Sequence, residues 1–356
     1  MKNNLVISYP RMGNYHILLD RSFKILFPNA EILTPPLMSA RTLEIGARHS
    51  PDNVCAPFKY NIGNFVEALE QEANVLVQTG LGCIFGYYGE LQEQILKDLG
   101  YEFNFLCFSQ GSASMRKAFE TYKQLGGKQS FKAVSAAIFY TFYGMFVMDK
   151  FEYKMRENIA FELNPGAHER LHSRLLEDLA TISLAKIPTI WKYYNNELNN
   201  IALNEPQKRL RIGLVGELYT LMEPFSNFNL ELELAECGCS ISRKMNASLL
   251  AFPRKAKTLR DSDGYLKHLP GANGADTVAH TISYAKNGYD GVIHMKSFGC
   301  VPEINVMPAL NKISSDMDIP VLHLSFDTHT GEAGLQTRLE AFIDMIKMRN
   351  SGGVLY

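Results

Sequence analysis

The chain has 356 residues, of which 46% are hydrophobic and 21% are charged. These values are typical of a globular protein with two or three domains. The net charge of -1 argues against a basic nucleic-acid-binding surface, and six cysteines are too few for a secreted disulfide scaffold. The first residues enter a strand-like run without a signal-peptide pattern, so we expect a cytoplasmic protein.

Strands and helices alternate over the first hundred residues. We predict helices at about 15–27, 42–48, 61–71 and 91–99, and strands at 5–9, 30–33, 73–78 and 102–108. Pro57 is expected to stop any helix before residue 61. This alternation predicts a parallel sheet with helices on both faces.

The pattern then changes to long helical periodicities from residue 112 to about 203. The apolar run 133–148 is shorter than the roughly 20 residues that a membrane span needs. We therefore predict a buried or partner-facing helix there and no membrane span. Residues 205–208 form a polar break and a plausible domain boundary.

A second alternating segment follows this break. We predict helices at 229–237, 277–286 and 335–348, and strands at 210–215, 239–243, 291–295 and 319–325. The predicted fold class is α/β, with two Rossmann-like units, parallel sheets and a helical insertion between them. The predicted domains are 1–111, 112–205 and 206–356.

Three cysteines lie in predicted strand-to-helix loops beside Gly or Pro: Cys55, Cys83 and Cys300. Loops at the carboxyl ends of parallel strands are where open α/β sheets bind ligands. Thiolates suit iron–sulfur clusters and zinc, and three protein ligands leave one metal position open. The alternative is that each cysteine is a small buried packing residue, since no C-x-x-C motif is present.

The other cysteines favour packing roles. Cys107 lies in a predicted strand, and Cys237 and Cys239 flank a glycine at a predicted helix end. The segment Gly126-Gly127-Lys128-Gln129 lacks the upstream glycine and the Ser or Thr of a phosphate-binding loop, so we do not expect ATP hydrolysis by this chain.

Charged residues near the proposed ligands have two interpretations each. Asp327, His329 and Glu332 are either metal ligands or a polar loop that caps the last helix, and we favour the loop. Lys59 and Glu303 flank the proposed ligands. They either steer a partner, or tune a cluster through hydrogen bonds to its sulfurs, or are solvated surface charges.

Several segments together resemble a known family. They are Cys-Ala-Pro-Phe-Lys from Cys55, Cys-Ile-Phe-Gly-Tyr-Tyr-Gly-Glu from Cys83, Gly-Tyr-Asp-Gly-Val-Ile-His from Gly288, Phe-Gly-Cys-Val-Pro-Glu to Glu303, Ile-Pro-Val from Ile319 and Thr-Gly-Glu-Ala-Gly from Thr330. They resemble the 2-hydroxyacyl-CoA dehydratase / benzoyl-CoA reductase superfamily, and more closely its branch of CoA-dehydratase-activase-related proteins. The resemblance covers nearly the whole chain.

This resemblance implies a 4Fe–4S cluster on Cys55, Cys83 and Cys300, reduced by a separate ATP-hydrolysing activator under anaerobic conditions. It implies a dehydratase or reductase component that acts on an acyl-CoA at an open iron, as a homo- or hetero-oligomer. A non-catalytic electron relay or assembly partner and a zinc-stabilised binding module are the alternatives. Related sequences often carry a further cysteine and an arginine where this chain has Gly80 and Ile84.

Overall fold

The computed structural model describes residues 4–79, 87–108, 120, 122–183, 186–248, 260–262 and 264–351. The chain divides into two compact units. Unit 1 is Met1–Val147 with Leu175–Ile190, and unit 2 is Met148–Arg174 with Trp191–Tyr356. The finer division into 1–111, 112–205 and 206–356 stays a prediction.

Unit 1 contains a parallel sheet with the strand order β2-β1-β3-β4. Its strands are β1 Val6–Ser8, β2 Glu31–Ile32, β3 Val75–Thr79 and β4 Asn104–Phe108. Its helices include α1 His16–Leu26, α2 Ala40–His49, α3 Ala56–Glu70 and α4 Tyr88–Asp98. The predicted elements are therefore confirmed, with boundaries that shift by a few residues.

Helix α3 corrects one prediction, because it begins at Ala56 rather than after Pro57. Proline is compatible with the first turn of a helix, where its missing N–H has no intrahelical acceptor. The helix then crosses α2 at backbone contact. A Cβ added to Gly63 would lie 1.8 Å from the carbonyl oxygen of Thr42, so only glycine allows this approach.

Helices dominate the segment between the two sheets, as predicted for the residues that the structure describes there. They are α5 Phe131–Asn158, α6 Ala167–Thr181 and α7 Ile187–Asn199. Helix α5 contains the apolar run 133–148. Within the described part of the chain, no helix combines the length and hydropathy that a membrane crossing requires.

Unit 2 contains the second parallel sheet, with the order β6-β5-β7-β8. Its strands are β5 Leu210–Gly216, β6 Cys239–Arg243, β7 Gly291–Ser297 and β8 Val321–Phe326. Its helices include α8 Leu218–Met222, α9 Leu230–Glu236, α10 Gly274–Lys286, α11 Val301–Asp316 and α12 Glu332–Asn350. Both sheets thus have the same strand order relative to the chain, and the predicted class of two Rossmann-like units is confirmed.

The core of unit 2 lies between the sheet and helices α10 and α11. Val278 and Ile282 of α10, Val306 and Leu310 of α11, and Val292 of β7 are buried together. A helix that connects two parallel strands runs antiparallel to them, so its amino terminus lies at the carboxyl edge of the sheet. The starts of α10 and α11 therefore meet at the edge where β5 and β7 end.

Candidate functional site

Two histidines lie side by side on adjacent strands of unit 2. His294 of β7 is directly paired in register with His323 of β8, so both side chains project from the same face of the sheet. Their Nδ1 atoms are 2.9 Å apart, within hydrogen-bond distance. His294 is fully buried. His323 is partly exposed, and its Nε2 lies 2.9 Å from Oδ1 of the exposed Asn311.

A buried carboxylate continues this chain of contacts inward. Oε2 of Glu303 lies 2.9 Å from Nε2 of His294, and Glu303 has an exposed fraction of 0%. Its other oxygen accepts hydrogen bonds from Nδ2 of Asn273 at 3.1 Å and Oγ1 of Thr277 at 3.2 Å. Burying a carboxylate without such partners would be strongly unfavourable. The three contacts explain how Glu303 is accommodated.

The position of Glu303 follows from the periodicity of α11. Val306, Leu310 and Ile313 lie on the buried face of this helix. Glu303 precedes them by three, seven and ten residues, so it continues their stripe toward the carboxyl edge of the sheet. The interface between α11 and the sheet is thus apolar along most of its length and polar at its end.

Further charged groups surround Glu303. Lys296 lies two residues after His294 on β7 and is nearly fully buried. Burial lowers the pKa of Lys296, and the negative charges of Cys300 and Glu303 oppose that shift. Burial also raises the pKa of Glu217, and the charge of Glu303 adds to that shift. Two carboxyl groups (Glu217 and Glu303), one amine (Lys296) and one thiol (Cys300) therefore interact electrostatically at this edge of the sheet.

Three nearby features fix the geometry of this edge. Nδ2 of Asn273 also donates to the carbonyl of Gly216 at 2.5 Å, which ties the start of α10 to the end of β5. Gly216 has φ of +137°, and a Cβ there would lie 1.8 Å from the carbonyl oxygen of Met295. The carboxylate of Glu217 accepts from the N–H groups of Tyr219 and Thr220 at the start of α8.

Cys300 lies at this same edge, as the N-cap residue of α11. Pro302 occupies the first turn of the helix, whose partial positive charge favours a nearby thiolate. Cys300 is partly exposed, and the apolar side chains of Phe298, Val301 and Ile304 around it are exposed to solvent. We call these three residues the Cys300 rim.

Cys55 has a similar local setting in unit 1. It is the N-cap residue of α3, with Pro57 in the first turn. This placement corrects the expected strand-to-helix loop, because the connection joins α2 to α3. The Sγ atom lies 3.8 Å from Oη of Tyr88, the first residue of α4. Tyr88 also packs edge-on against Phe58, with ring centroids 4.6 Å apart.

Cys83, Gly80 and Ile84 lie outside the described residues, so the proposed three-cysteine set stays a prediction. Among the residues that the structure does describe, no group of three or more His, Cys, Asp or Glu side chains is arranged to hold a metal ion. The segment 126–129 includes Gly126, whose φ is +84°, and it lies two residues before the start of α5 at Phe131.

The remaining cysteines occupy packing positions. Cys107 lies in β4, and its Sγ atom would be 2.4 Å from a Cβ added to Gly89 of α4. Cys239 is fully buried in β6, and burial raises its pKa to about 12. Burial likewise raises the pKa of Cys237. Protonated thiols are poor metal ligands, in agreement with the packing interpretation.

The loop after β8 has the local structure that we favoured. Oδ1 of Asp327 accepts from the backbone N–H of His329 at 2.8 Å and from Oγ1 of Thr330 at 3.0 Å. Its carboxylate therefore stabilises a turn before α12. Glu332 lies in the first turn of α12, where a negative charge is favoured.

The two flanking charges differ in their surroundings. Nζ of Lys59 is 3.5 Å from the carbonyl of Asp52, in the connection that contains Cys55. Glu303 is buried, so its interpretation as a solvated surface charge is wrong. Sequence reasoning did not identify His294 and His323. Their signal was one histidine between apolar neighbours in each strand, between Ile293 and Met295 in β7 and between Leu322 and Leu324 in β8.

Comparison with known families identifies the same region. A family model described as 2-hydroxyglutaryl-CoA dehydratase, D-component, matches residues 262–346. The match spans α10, β7, α11 and β8, and so includes Cys300, Glu303 and both histidines. No curated protein matches the chain. The expected resemblance to the 2-hydroxyacyl-CoA dehydratase superfamily is confirmed for this segment, and the match supports a component of dehydratase type. The closer resemblance to the activase-related branch and its extent over nearly the whole chain stay predictions.

Proposed function

We propose that the chain is the iron–sulfur component of a reductive dehydratase system and that Cys55, Cys83 and Cys300 hold a 4Fe–4S cluster. The observation that carries the proposal is the position of Cys300. Cys300 is the N-cap residue of a long helix at the carboxyl end of a central parallel strand, within the segment that matches the dehydratase family.

The chemistry of the two described thiols fits such a cluster. Cys55 and Cys300 are both partly exposed helix N-caps with a proline in the first turn. The helix amino terminus stabilises a thiolate, which is the form that binds iron. Cys239 offers the contrast, because burial keeps that sulfur protonated. When bound, the cluster would supply single low-potential electrons and an open iron position for a substrate oxygen.

We further propose an acyl-CoA thioester as the substrate and a separate ATP-hydrolysing activator as the electron donor. The exposed Cys300 rim supports a docking role, since exposed apolar groups beside a reactive residue are typical of interaction sites. Lys296 supplies a positive charge that interacts with Cys300. It would stabilise negative charge that develops on a thiolate or a bound substrate.

The test of the cofactor uses single Cys→Ser variants at positions 55, 83 and 300, with Cys107→Ser as the matched control. After anaerobic reconstitution, iron and sulfide are assayed chemically and the cluster is followed by electron paramagnetic resonance. Each of the three variants should lose most of its iron, because serine replaces thiolate poorly. The control should retain it. Equal iron in all four variants would refute the ligand assignment.

The test of the substrate class uses the reconstituted protein. Addition of 2-hydroxyacyl-CoA compounds should perturb the spectrum of the open iron even without turnover. An unchanged spectrum with a range of acyl-CoA thioesters, together with normal reduction by an activator, would instead favour the electron relay.

A further inference from the structure

We propose that Glu303, His294 and His323 form a proton-transfer path between the buried carboxylate and solvent. Each step of this path is within hydrogen-bond distance. The contacts are 2.9 Å from Glu303 Oε2 to His294 Nε2, 2.9 Å between the two Nδ1 atoms, and 2.9 Å from His323 Nε2 to Asn311 Oδ1. The path begins at a fully buried carboxylate and ends at an exposed residue.

The path can carry one proton from solvent to Glu303 through two tautomer changes, with no net charge left on either ring. In the starting state Glu303 is ionised, His294 carries a proton on Nε2 and His323 carries one on Nδ1, and the exposed Asn311 turns its amide so that Nδ2 donates to Nε2 of His323. With Nε2 of His323 protonated, Oδ1 of Asn311 accepts instead, at 2.9 Å. A solvent proton binds Nε2 of His323, the Nδ1 proton of His323 moves to Nδ1 of His294, and the Nε2 proton of His294 moves to Oε2 of Glu303. Both rings end neutral in the opposite tautomer. The reverse sequence exports a proton from Glu303 to solvent.

The surroundings of His323 disfavour a positive charge that stays on this ring. Burial lowers the pKa of His323 to about 4, and the positive charges of His294, Lys296 and Arg338 contribute. Arg338 of α12 donates to the carbonyl of His323 at 2.7 Å, and Lys296 lies on the same strand as His294. Glu217 is the other carboxyl group that interacts with Glu303. A ring that does not retain the positive charge passes the proton on.

A comparison within the chain shows that this arrangement is not required by the fold. In unit 1, the third strand contacts the following helix through a buried pair of amides, with Nε2 of Gln78 donating to Oε1 of Gln92 at 2.7 Å. That pair ties strand to helix without an ionisable group. Unit 2 has the imidazole of His294 and the carboxylate of Glu303 in the corresponding role, so a purely structural link would not need them.

This inference rests on the proposed function in one respect only, namely the reaction that would use the proton carried by the path. Loss of water from a 2-hydroxyacyl thioester breaks one C–H bond and one C–O bond, and the proton taken from carbon leaves with the hydroxyl group as water. The reaction therefore needs a group that takes up and returns a proton, and Glu303 lies one helical turn from Cys300. The path itself is a property of the full chain without cluster or substrate. Its test is therefore made on that protein, and its outcome is independent of the cysteine assignment.

The experiment uses protein labelled with ¹⁵N at histidine and measures exchange of the His294 Nε2–H with deuterated water by nuclear magnetic resonance. In His323→Asn the amide can still hydrogen-bond to His294 but cannot take up and release a proton. Exchange should then need local opening and become slower by about tenfold or more. His329→Asn, the same change at an exposed position in the neighbouring loop, should leave the rate unchanged.

A second measurement covers the case in which His323→Asn does not fold. The wild-type protein should show a coupling across the hydrogen bond between the two Nδ1 nuclei, because they share one proton. Equal exchange rates in the wild-type protein and His323→Asn would overturn the proposal. Absence of the Nδ1–Nδ1 coupling would overturn it as well.

Discussion

Replacement of Glu303 by leucine should destabilise unit 2 by an amount that the buried contacts predict. Glu303, His294 and Thr277 all have an exposed fraction of 0%, so the variant leaves an imidazole and a hydroxyl without their partner in the core. An unsatisfied buried group costs about 1–3 kcal/mol, and the gain from the more apolar leucine is about 0.8 kcal/mol per methylene equivalent. We therefore expect a loss of about 1–5 kcal/mol in the free energy of unfolding.

The variant Glu303→Gln removes the negative charge of residue 303 but keeps its hydrogen bonds. The glutamine oxygen can accept from Asn273 and Thr277, and its amide can donate to His294 Nε2. His294 then takes the Nδ1–H tautomer and donates to His323, whose Nε2–H donates to Asn311. Every buried contact is retained, so the loss should be below about 1 kcal/mol. Glu332→Leu is the control for the leucine change, because Glu332 is exposed in the first turn of α12. It should cost less than about 1 kcal/mol.

Unfolding in urea at pH 7 measures these differences. The chain contains one tryptophan, and Trp191 belongs to unit 2, so its fluorescence reports the unit that contains the network. Circular dichroism follows both units together. Glu303→Leu should lower the midpoint of the fluorescence transition with an unchanged denaturant dependence. A Glu303→Leu midpoint equal to that of Glu332→Leu would refute the reasoning.

Three further predictions concern His323, Arg243 and the Cys300 rim. The pKa of His323 is lowered to about 4, so its contribution to stability is complete above its ordinary value of 6.5 and is lost as the pH falls through this window. The unfolding midpoint should thus fall less between pH 6.5 and 4 in His323→Asn than in the wild-type protein, and equal slopes would contradict this. Arg243→Met should destabilise the protein by about 3 kcal/mol, because Glu231 loses a buried partner that lies 2.6 Å away but keeps Arg156. Urea unfolding measures the loss, and a change below about 0.5 kcal/mol, as at an ordinary surface site, would contradict it. Phe298→Glu on the Cys300 rim should slow reduction by an activator with ATP, whereas Met348→Glu, exposed near the end of α12, should not. Equal reduction rates in these two variants would argue against docking at the rim.

Much of the fold could be predicted from the sequence because its signals are local. Apolar runs bounded by glycine and proline gave the strands of both sheets, and their alternation with helical periodicity gave parallel pairing. The start of α3 was predicted wrongly for a local reason too. Pro57 ends a helix that comes from before it but is accepted within the first turn of a helix that begins beside it.

The buried network was harder to predict because it depends on strand register. His294 and His323 are 29 residues apart in the sequence, and only the pairing of β7 with β8 makes them neighbours. A shift of one residue would direct one ring to the opposite face of the sheet. The position of Glu303 was nevertheless available, since it continues the apolar stripe of Val306 and Leu310. A carboxylate at a core position of a helix requires a partner, and the histidine of the preceding strand was the candidate.

The shared strand order of the two sheets gives these residues a common framework. Cys55 is the N-cap residue of α3, the helix before the third strand of unit 1. Asn273 is the N-cap residue of α10, the helix before the third strand of unit 2. Cys300 caps the helix that follows the third strand of unit 2. The third helical residue after that cap is the buried Glu303, whereas the equivalent residue of α4 is Glu90, which is exposed. The same backbone position thus carries a solvated charge in one unit and an ionisable core group in the other. Since the fold itself tolerates either arrangement, we attribute the buried acid–imidazole pair in unit 2 to proton chemistry beside Cys300 rather than to the needs of folding.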